Sequence, residues 1–335
     1  MKKITINDIA KMAGTSKTTV SFYLNGKYNK MSEGTKKRIG KVIEENNYIP
    51  NNAARAINNK SSKTIGVVIS SITNGFSNKL VSGIEESALE KDYQIIVGSS
   101  HSEPTREYKC VENMIKCNVD GFIVQPSMEF KKTLDLIKRY DIPIVYVDSH
   151  LYTNDIPLVK TNNYKSTYEF TKYLIRKGYN NFLIIEADPS NLSTRLERHD
   201  GFYDALNGTN LPVQEFVVKN KNDKMLVEKL VEFASKNIDL TKRTVVFSPN
   251  CWMLPKVYES LKNFYGLMPN QLGLYGFDND EWINSVTPSV SSIIQPAYEE
   301  GKVAFKLLYE LIKGYRKGYV KEVIDCDLIL NQSVL

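Results

Sequence analysis

The chain has 335 residues, of which 42% are apolar and 24% charged, a composition typical of a globular protein with two or three domains. The first ten residues lack the apolar run of a secretory signal, and no stretch approaches the roughly 18 apolar residues that span a bilayer. These features argue against a secreted or membrane-spanning protein, and we expect a cytoplasmic one.

The net charge of +6 is unevenly distributed along the chain. The first 63 residues hold 13 lysines and arginines against four acidic residues, a net charge of +9. The remaining residues hold 31 basic and 34 acidic side chains, a net charge of −3. A basic head on a slightly acidic body indicates a nucleic-acid-binding protein, and a solvated lysine-rich surface is the alternative.

The cysteines and histidines do not form the spacing of a metal or catalytic site. The cysteines include no C-x-x-C pair, and the histidines at positions 101, 150 and 199 stand far apart. We therefore expect reduced, buried thiols, no metal and no cofactor. The cysteines are Cys110, Cys117, Cys251 and Cys326.

Residues 5–25 predict two short helices joined by a tight turn. Apolar residues recur at helical spacing on both sides of Gly14, and glycine allows the positive φ that ends a helix. Thr5 with Asp8 resembles a capping box, and Ser16 stands where the second helix needs an N-cap. This architecture places its second helix in the DNA major groove, although a generic helical hairpin is the alternative. The outward positions of the second helix are Lys17, Thr18, Ser21 and Phe22.

A third helix, capped by Ser32, completes the predicted three-helix headpiece, and Pro50 ends it. A short helix over 52–58 is predicted next, before a polar linker. So short a helix is marginal alone and is expected to order only when it packs against a partner. On duplex DNA that partner is the minor groove, with Ile57 as an apolar wedge and Arg55 beside it. A plain linker is the alternative.

From Thr64 onward, short apolar runs alternate with amphipathic helical stretches. Strands are predicted at 65–69, 93–98, 121–125, 143–147, 158–161, 181–186, 244–248 and 272–277. Helices are predicted at 77–90, 105–117, 163–176, 197–206, 251–263 and 297–313. This alternation indicates parallel sheets covered on both faces, which bind ligands at the carboxyl ends of their strands. The candidate cleft residues follow a strand or open a helix, and they are Ser70, Phe76, Asp148, Arg198, Asn250 and Asp278.

The order of these motifs resembles the lactose-repressor/galactose-repressor (LacI/GalR) family of bacterial transcription regulators over essentially the whole chain. The resemblance rests on TINDIAKMAGTSKTTVSFYLNG, YIPNNAARAI, IGVVISSITNGFS, LVSGIE, RLERHDGF, LYGFD and IIQP, in that order. It implies an α/β protein with a helix-turn-helix headpiece at 1–50, a hinge helix and linker at 51–63, and an effector-binding and dimerisation core at 64–335. The core is expected to form two periplasmic-binding-protein-like lobes with parallel sheets, at 64–160 plus 291–323 and at 161–290 plus 324–335.

The resemblance also implies a set of DNA contacts. Lys17 and Thr18 are expected to read base edges, while Thr19 and Ser21 hold phosphates. Phe22 stands where the family usually has an arginine, so an apolar contact with a thymine methyl replaces a polar one. A surface position without a DNA role is the alternative for each residue. The full predicted set is Thr5, Ser16, Lys17, Thr18, Thr19, Ser21, Phe22, Asn25, Asn51, Ala54, Arg55 and Ile57, the last in place of the usual leucine wedge.

An effector site between the two lobes is a further implication. Arg198 matches the family's arginine in R-x-x-G-F, and its planar fork suits sugar hydroxyls or a carboxylate, with a structural salt bridge as the alternative. Asp148 and Asp278 would accept sugar hydroxyls, or cap helices instead. Phe76 and Trp252 would stack on a sugar ring, or pack in the core instead. The full predicted set is Ser70, Phe76, Asp148, Asn162, Arg198, Asn250, Trp252 and Asp278.

Two departures from the family lie near this site. Gly75 replaces the common proline in the first cleft loop, and Cys251 replaces the usual aspartate, which removes a charge. The chain ends soon after its last predicted strand, without the leucine-heptad tail of tetrameric members. We therefore expect a homodimer on a pseudo-palindromic double-stranded operator.

The sequence thus predicts a transcription regulator, most simply a repressor, of a carbohydrate-utilisation operon. A small sugar or sugar acid between the lobes is expected to control DNA affinity allosterically, and the segment at 277–296 resembles family members that respond to sugar acids. A sugar-binding protein without DNA function is the alternative, but it would need an export signal and no basic head. An enzyme is not favoured, and no membrane partner is expected.

Overall fold

The computed structural model describes residues 4–49, 61–150 and 155–334. Contacts divide the chain into two compact units, with the boundary between Ser62 and Lys63. Each unit has its own buried apolar core.

The first unit is a three-helix headpiece. It contains α1 (Ile6–Met12), α2 (Lys17–Leu24) and α3 (Glu33–Glu45), with a short 3₁₀ turn at Tyr28–Lys30. Gly14 occupies the turn between α1 and α2 at a φ of +57°, as predicted. The buried apolar residues are Ile9, Ala10, Ala13, Val20 and Ile39.

Side-chain caps define where the headpiece helices begin. The Thr5 hydroxyl accepts a hydrogen bond from the Asp8 backbone N–H, and the Asp8 carboxylate accepts one from the Thr5 N–H at 2.8 Å. The Ser16 hydroxyl accepts from the Thr19 N–H at 3.1 Å, and Ser32 caps α3 in the same way. Each cap satisfies a backbone donor that the first turn of a helix leaves unpaired. The predicted capping box and both serine caps are confirmed.

The second unit alternates strands and helices. Its strands are β1 (Thr64–Ile69), β2 (Gln94–Ser99), β3 (Phe122–Val124), β4 (Ile144–Val147), β5 (Leu158–Thr161), β6 (Asn181–Ala187), β7 (Val213–Val218), β8 (Thr244–Ser248), β9 (Leu272–Phe277), β10 (Ser291–Ile294), β11 (Lys321–Ile324) and β12 (Asp327–Ile329). Its longer helices are α4 (Gly75–Leu89), α5 (Pro104–Lys116), α6 (Lys131–Arg139), α7 (Asn163–Arg176), α8 (Ser193–Leu206), α9 (Leu226–Asn237), α10 (Leu254–Ser260) and α11 (Ala297–Ile312), and a single helical turn lies at Asp280–Ile283.

These strands form two six-stranded sheets with the same internal order. The sheet of the first lobe runs β11-β5-β4-β3-β1-β2, and that of the second lobe runs β12-β10-β9-β8-β6-β7. Neighbouring strands are parallel except for β10 and β12, which pair antiparallel. Apolar clusters cover both faces of each sheet. The predicted α/β fold with two lobes built on parallel sheets is confirmed.

The crossings between the lobes differ from the predicted ones. β10 pairs with β9 and β12, so residues 291–294 belong to the second lobe, and the prediction that placed them in the first lobe is wrong. Their apolar run is buried because it extends the sheet beside β9. The chain crosses instead at Gln295 and Pro296, immediately before α11. Thr161 and Ile324 pair with each other in the first sheet. The predicted lobe boundaries at 160/161 and 323/324 therefore each move by one residue, to 161/162 and 324/325.

Candidate functional site

A cavity of about 540 Å³ lies between the two lobes, at the carboxyl ends of their strands. This volume is in the range of small-molecule sites. Seven of the eight predicted effector residues line the cavity, and they are Ser70, Phe76, Asp148, Arg198, Asn250, Trp252 and Asp278.

Arg198 is a buried cation, with 7% of its surface exposed. Its guanidinium donates to Asn163 Oδ1 at 2.8 Å, to the Pro249 carbonyl at 2.7 Å and to Gln295 Oε1 at 2.6 Å. Its central carbon lies 3.8 Å from the centroid of the Phe277 ring. All of these partners are uncharged, so the geometry does not fit the salt bridge considered as the alternative role. The fork is fixed in place while its charge stays available to a ligand.

Asp148 and Asp278 occupy equivalent positions in the two lobes. Each follows the fourth strand of its lobe, β4 or β9, and each has a positive φ, +61° and +57° respectively. Aspartate tolerates this left-handed conformation better than most residues, and such strain is concentrated at functional sites. It turns both carboxylates toward the same cavity.

Gln295, at the crossing between the lobes, joins these groups. Its side-chain amide donates to Asp148 Oδ1 at 3.4 Å, its backbone N–H donates to Asp278 Oδ1 at 3.0 Å, and its Oε1 accepts from Arg198. Gln125 Nε2 donates to the other oxygen of Asp148 at 2.7 Å. Burial raises the pKa of Asp148, and the Arg198 guanidinium opposes that rise. Sequence reasoning missed both glutamines, although Gln295 lies in the IIQP motif.

The cavity lining is rich in cations. Arg195 lies three residues before Arg198 on α8, and burial together with the Arg198 charge lowers the pKa of its guanidinium. The lysine and arginine side chains of the lining are Arg195, Arg198, Lys219, Lys221 and Lys256, and its carboxylates are Asp148, Asp188 and Asp278. The sequence analysis identified only Arg198 among these cations. The three-residue spacing in α8 was the signal for Arg195, because it places both arginines on one helix face.

Aromatic and neutral polar residues complete the lining. Phe76 opens α4 and is 7% exposed, while half-buried Trp252 also packs against the apolar core of the second lobe. Asn250 Oδ1 accepts from the Ala187 N–H at 2.8 Å. Cys251 Sγ lies 3.7 Å from Asn74 Oδ1 of the first lobe, and burial raises the pKa of this thiol to about 11. At neutral pH the thiol is therefore uncharged, where the family pattern has an aspartate.

Asn162 lies outside the cavity lining, and its predicted effector contact does not fit the structure. Its amide nitrogen donates to Asp325 Oδ1 at 2.5 Å, and its amide oxygen accepts from the Ser166 hydroxyl and the Cys326 N–H. The side chain therefore fastens the start of α7 to the chain segment between β11 and β12. The neighbouring residue, Asn163, contacts Arg198 instead.

The predicted DNA-contact residues in the headpiece lie at or near the start of α1 and along α2. Lys17 and Thr18 are exposed, and Ser21 and Phe22 are partly exposed. Asn25 donates to the Ser21 carbonyl at 2.8 Å. Thr5, Ser16 and Thr19 form the caps described above. Asn51, Ala54, Arg55 and Ile57 lie outside the described residues.

Comparison with known proteins identifies the family. A model of "Bacterial regulatory proteins, lacI family" matches residues 5–51, one of "Periplasmic binding proteins and sugar binding domain of LacI family" matches 62–232, and one of "Periplasmic binding protein-like domain" matches 171–334. The chain is 32% identical over 340 residues to the probable HTH-type transcriptional regulator EndR of Paenibacillus polymyxa, covering 99% of this chain and 98% of that protein. The chain belongs to the LacI family. The predicted family is confirmed.

Other relatives of this LacI-family protein are also regulators. The HTH-type transcriptional regulator KdgR of Bacillus subtilis is 28% identical over 332 residues, covering 98% of this chain and 97% of that protein. The structure of the lac repressor dimer bound to operator and the anti-inducer ONPF has a TM-score of 0.85 at 19% identity and covers 99% of both chains. A complex of the transcriptional regulator CelR with cellobiose has a TM-score of 0.70 at 20% identity, covering 98% of this chain and 99% of that chain. At these identities the structures establish a shared fold. No helix among the described residues is long and apolar enough to cross a membrane.

Proposed function

We propose that this LacI-family regulator is a homodimeric repressor of genes for carbohydrate use, and that a sugar acid in its cavity sets its affinity for a pseudo-palindromic operator. The headpiece supports operator binding, because α2 presents Lys17 and Thr18 to solvent from a capped helix. The fold is shared with a repressor dimer that was solved on its operator. Such a regulator works in the cytoplasm, where bacterial DNA lies.

The charge of the cavity lining is the observation that supports an acidic effector. Five lysines and arginines face three carboxylates there, and Arg198 is desolvated and has no carboxylate partner within the described part of the chain. A buried cation is costly unless it is paired, so the lining favours a ligand that brings a negative charge. A sugar carboxylate fits the paired N–H groups of an arginine fork, which accept a planar acid in two parallel hydrogen bonds.

The rest of a sugar acid suits the remaining lining. Its hydroxyls can donate to the Asp148 and Asp278 carboxylates, and Phe76 and Trp252 offer apolar surface to the faces of the carbon chain or ring. A neutral sugar would use the same hydroxyl acceptors but would leave the excess positive charge uncompensated. The acid is therefore the preferred effector of the two predicted classes.

Control of DNA binding follows from the position of the cavity between the lobes. A ligand that touches both Asp148 and Arg198 bridges the lobes across the Gln295 crossing. Such a ligand favours one angle between the lobes over others, and the preferred angle sets the spacing of the two headpieces in a dimer. A coupling free energy of about 1–3 kcal/mol changes operator affinity between several-fold and about a hundredfold.

An enzyme is the weaker alternative for this cavity. Cys251 is the thiol in the lining, and its raised pKa of about 11 keeps it protonated and poorly nucleophilic at neutral pH. The matched relatives are transcription regulators. A sugar-binding protein without DNA function shares the two-lobed core, but it does not account for the basic headpiece.

Two measurements on the full chain test the proposal. Selection from a pool of random duplexes should enrich one pseudo-palindromic sequence that binds two chains. In thermal melts, gluconate and galacturonate should raise the midpoint, because a ligand of the native state adds about 2.7 kcal/mol at a hundred times its Kd. Glucose, galactose and sorbitol serve as matched neutral probes. Equal shifts by neutral and acidic probes would contradict the acid preference, and a pool without enrichment would contradict the repressor.

A further inference from the structure

A cluster of three potential ligands lies in the second lobe, beside the cavity but outside its lining. Glu186 is near the end of β6, Glu215 is in the neighbouring strand β7, and His199 is on α8. Their candidate ligand atoms all lie within 4.8 Å of one another. His199 Nδ1 is 2.6 Å from Glu186 Oε1.

The fold explains why these residues meet. β6 and β7 pair in parallel, with Ile184 opposite Glu215, so Glu186 lies two residues further along the same face of the sheet. α8 packs on that face through Phe202, which brings His199 over the two carboxylates. Spacing in the sequence does not predict this cluster, because the two glutamates and the histidine lie on three separate elements.

The burial of Glu186 provides independent support for a ligand at this cluster. Its side chain is 1% exposed, and its Oε2 has no hydrogen-bond partner among the described residues. A buried carboxylate oxygen without a partner is destabilising, and a second carboxylate beside it adds repulsion. The imidazole satisfies one of the Glu186 oxygens, and the Glu215 carboxylate lies close to the same group.

We infer that Glu186, His199 and Glu215 form a binding site for one divalent first-row transition-metal ion. One imidazole nitrogen with two carboxylate oxygens suits Zn²⁺ or Mn²⁺, whereas Mg²⁺ and Ca²⁺ prefer oxygen ligands alone. His199 binds the ion through the Nδ1 lone pair of the neutral imidazole, whose proton then lies on Nε2. The contact between Nδ1 and Glu186 Oε1 is replaced by a bond from each atom to the ion. Water fills the remaining coordination positions.

Tyr203 supports the site from one turn further along α8. Its hydroxyl donates to Glu215 Oε2 at 3.4 Å, and its ring centroid lies 4.5 Å from that of His199. Hydrogen bonds of this kind orient the ligands of metal sites. The cluster adjoins the cavity. Ala187, next to Glu186 in sequence, and Arg198, next to His199, both line the cavity. The ion therefore clamps the end of β6 to the helix that holds Arg198.

Competition titration with a chromophoric chelator tests the site. Full-length protein, freed of metal by dialysis against a chelator, should bind one Zn²⁺ per chain and melt at a higher temperature when loaded. Glu215→Gln, Glu186→Gln and His199→Gln should each weaken Zn²⁺ binding at least about tenfold, since even the loss of a residue that orients a ligand costs that much. Glu215 lies exposed in a strand at the sheet edge, so its variant tests the site without disturbing the core.

Two variants control for binding elsewhere. Glu228→Gln removes an exposed carboxylate from the first turn of α9, and Cys117→Ser removes an exposed thiol; both should bind Zn²⁺ like the parent chain. Co²⁺ provides a direct readout, because its weak visible bands shift and gain intensity when protein ligands replace water in a site of low symmetry. His199→Gln should remove most of that change. The proposal is overturned if the parent binds no Zn²⁺, if Glu215→Gln binds as tightly as the parent, or if Cys117→Ser loses the ion.

Discussion

Neighbouring groups hold the Arg198 side chain in one orientation beside the cavity. Three uncharged acceptors hold its guanidinium, and the Phe277 ring covers one face. These contacts fix the orientation of the fork but do not neutralise its charge. A carboxylate that enters the cavity therefore meets a donor pair that requires no reorganisation, which lowers the entropic cost of binding.

Arg198→Lys should weaken sugar-acid binding at least about tenfold while operator binding in the absence of effector is retained. Lysine keeps the positive charge but lacks the fork, and a lost hydrogen bond to a charged group is worth about 1.5–3 kcal/mol. Titration calorimetry with the acid and anisotropy with the operator measure the two affinities. Arg176→Lys, at the exposed end of α7, is the matched control. If Arg198→Lys binds the acid as tightly as the parent, the carboxylate of the ligand binds a different cation of the lining.

Glu300→Gln should change how the stability of the second unit depends on pH. Glu300 is fully buried, and burial raises the pKa of its carboxyl well above the ordinary value. Asp148 and Asp278 raise it further, while Lys160 opposes them. Above the unfolded pKa, about 4.3, the folded chain retains a proton that the unfolded chain releases, so unfolding free energy falls as pH rises.

Glutamine has no carboxyl group to titrate at this position. As the pH rises from 5 to the raised folded pKa, the unfolding free energy of the parent should therefore fall relative to that of Glu300→Gln. The loss is at most about 1.4 kcal/mol per pH unit for one group. Urea unfolding at pH 5, 6, 7 and 8 measures it, with the exposed neighbour in Glu299→Gln as control. Parallel pH curves for the parent and Glu300→Gln would show that Glu300 is ionised in the folded chain.

Individual site residues were predictable where the signal was local. Asp148 and Asp278 follow apolar strands, and parallel sheets place such residues at a ligand cleft. The partners of Arg198 lie 35, 51 and 97 residues away in sequence, so no local pattern identifies Asn163 or Gln295 as its acceptors. Asn162 and Asn163 differ in role because helix geometry sends adjacent side chains in different directions.

At the scale of elements, α8 organises the second half of the site. It carries Arg195, Arg198 and His199, and it begins at Ser193, four residues before the predicted start at 197. The start was missed because no side-chain cap marks it. The predicted helix at 251–263 was also placed too early, since α10 begins at Leu254 with a proline in its first turn. β7 was missed because it is a half-buried edge strand without a continuous apolar run.

Gly201→Ala should destabilise the second lobe by about 1–3 kcal/mol, because α8 crosses α7 at backbone contact distance. A Cβ at Gly201 would lie 2.4 Å from the Tyr164 carbonyl oxygen, and backbone cannot move aside as a side chain does. Thermal and urea unfolding measure the loss. Gly266→Ala is the matched control, because a Cβ there meets nothing within 4 Å. Equal stability of the two variants would mean that α8 shifts freely, and Arg198 would then not be rigidly held.

At the scale of the whole molecule, charge separates two tasks. The first 63 residues carry +9 and the rest −3, so attraction to phosphates is confined to one end of the chain. Composition predicted this division and strand–helix alternation predicted the parallel sheets, because both signals extend over long segments. The two lobes were predicted only from the resemblance to the LacI/GalR family. Residues 291–294 were predicted in the wrong lobe, since a short apolar run fits either sheet and only the pairing of β10 with β9 and β12 decides between them.

Arg55→Ala should weaken binding to operator and to unrelated duplex by similar factors, because we expect Arg55, beside the minor groove, to contact a backbone phosphate. Each neutralised phosphate contributes about −0.9 to the slope of log affinity against log salt. Loss of one contact should therefore flatten the slope by about 1 for each chain that engages the duplex. Anisotropy titrations between 50 and 200 mM salt, roughly the range over which such contacts dominate, provide the slope. Arg176→Ala, in the exposed last turn of α7, removes the same charge from the acidic body and should leave the slope unchanged. A variant that loses affinity for the operator alone, with an unaltered slope, would show that Arg55 reads sequence rather than backbone.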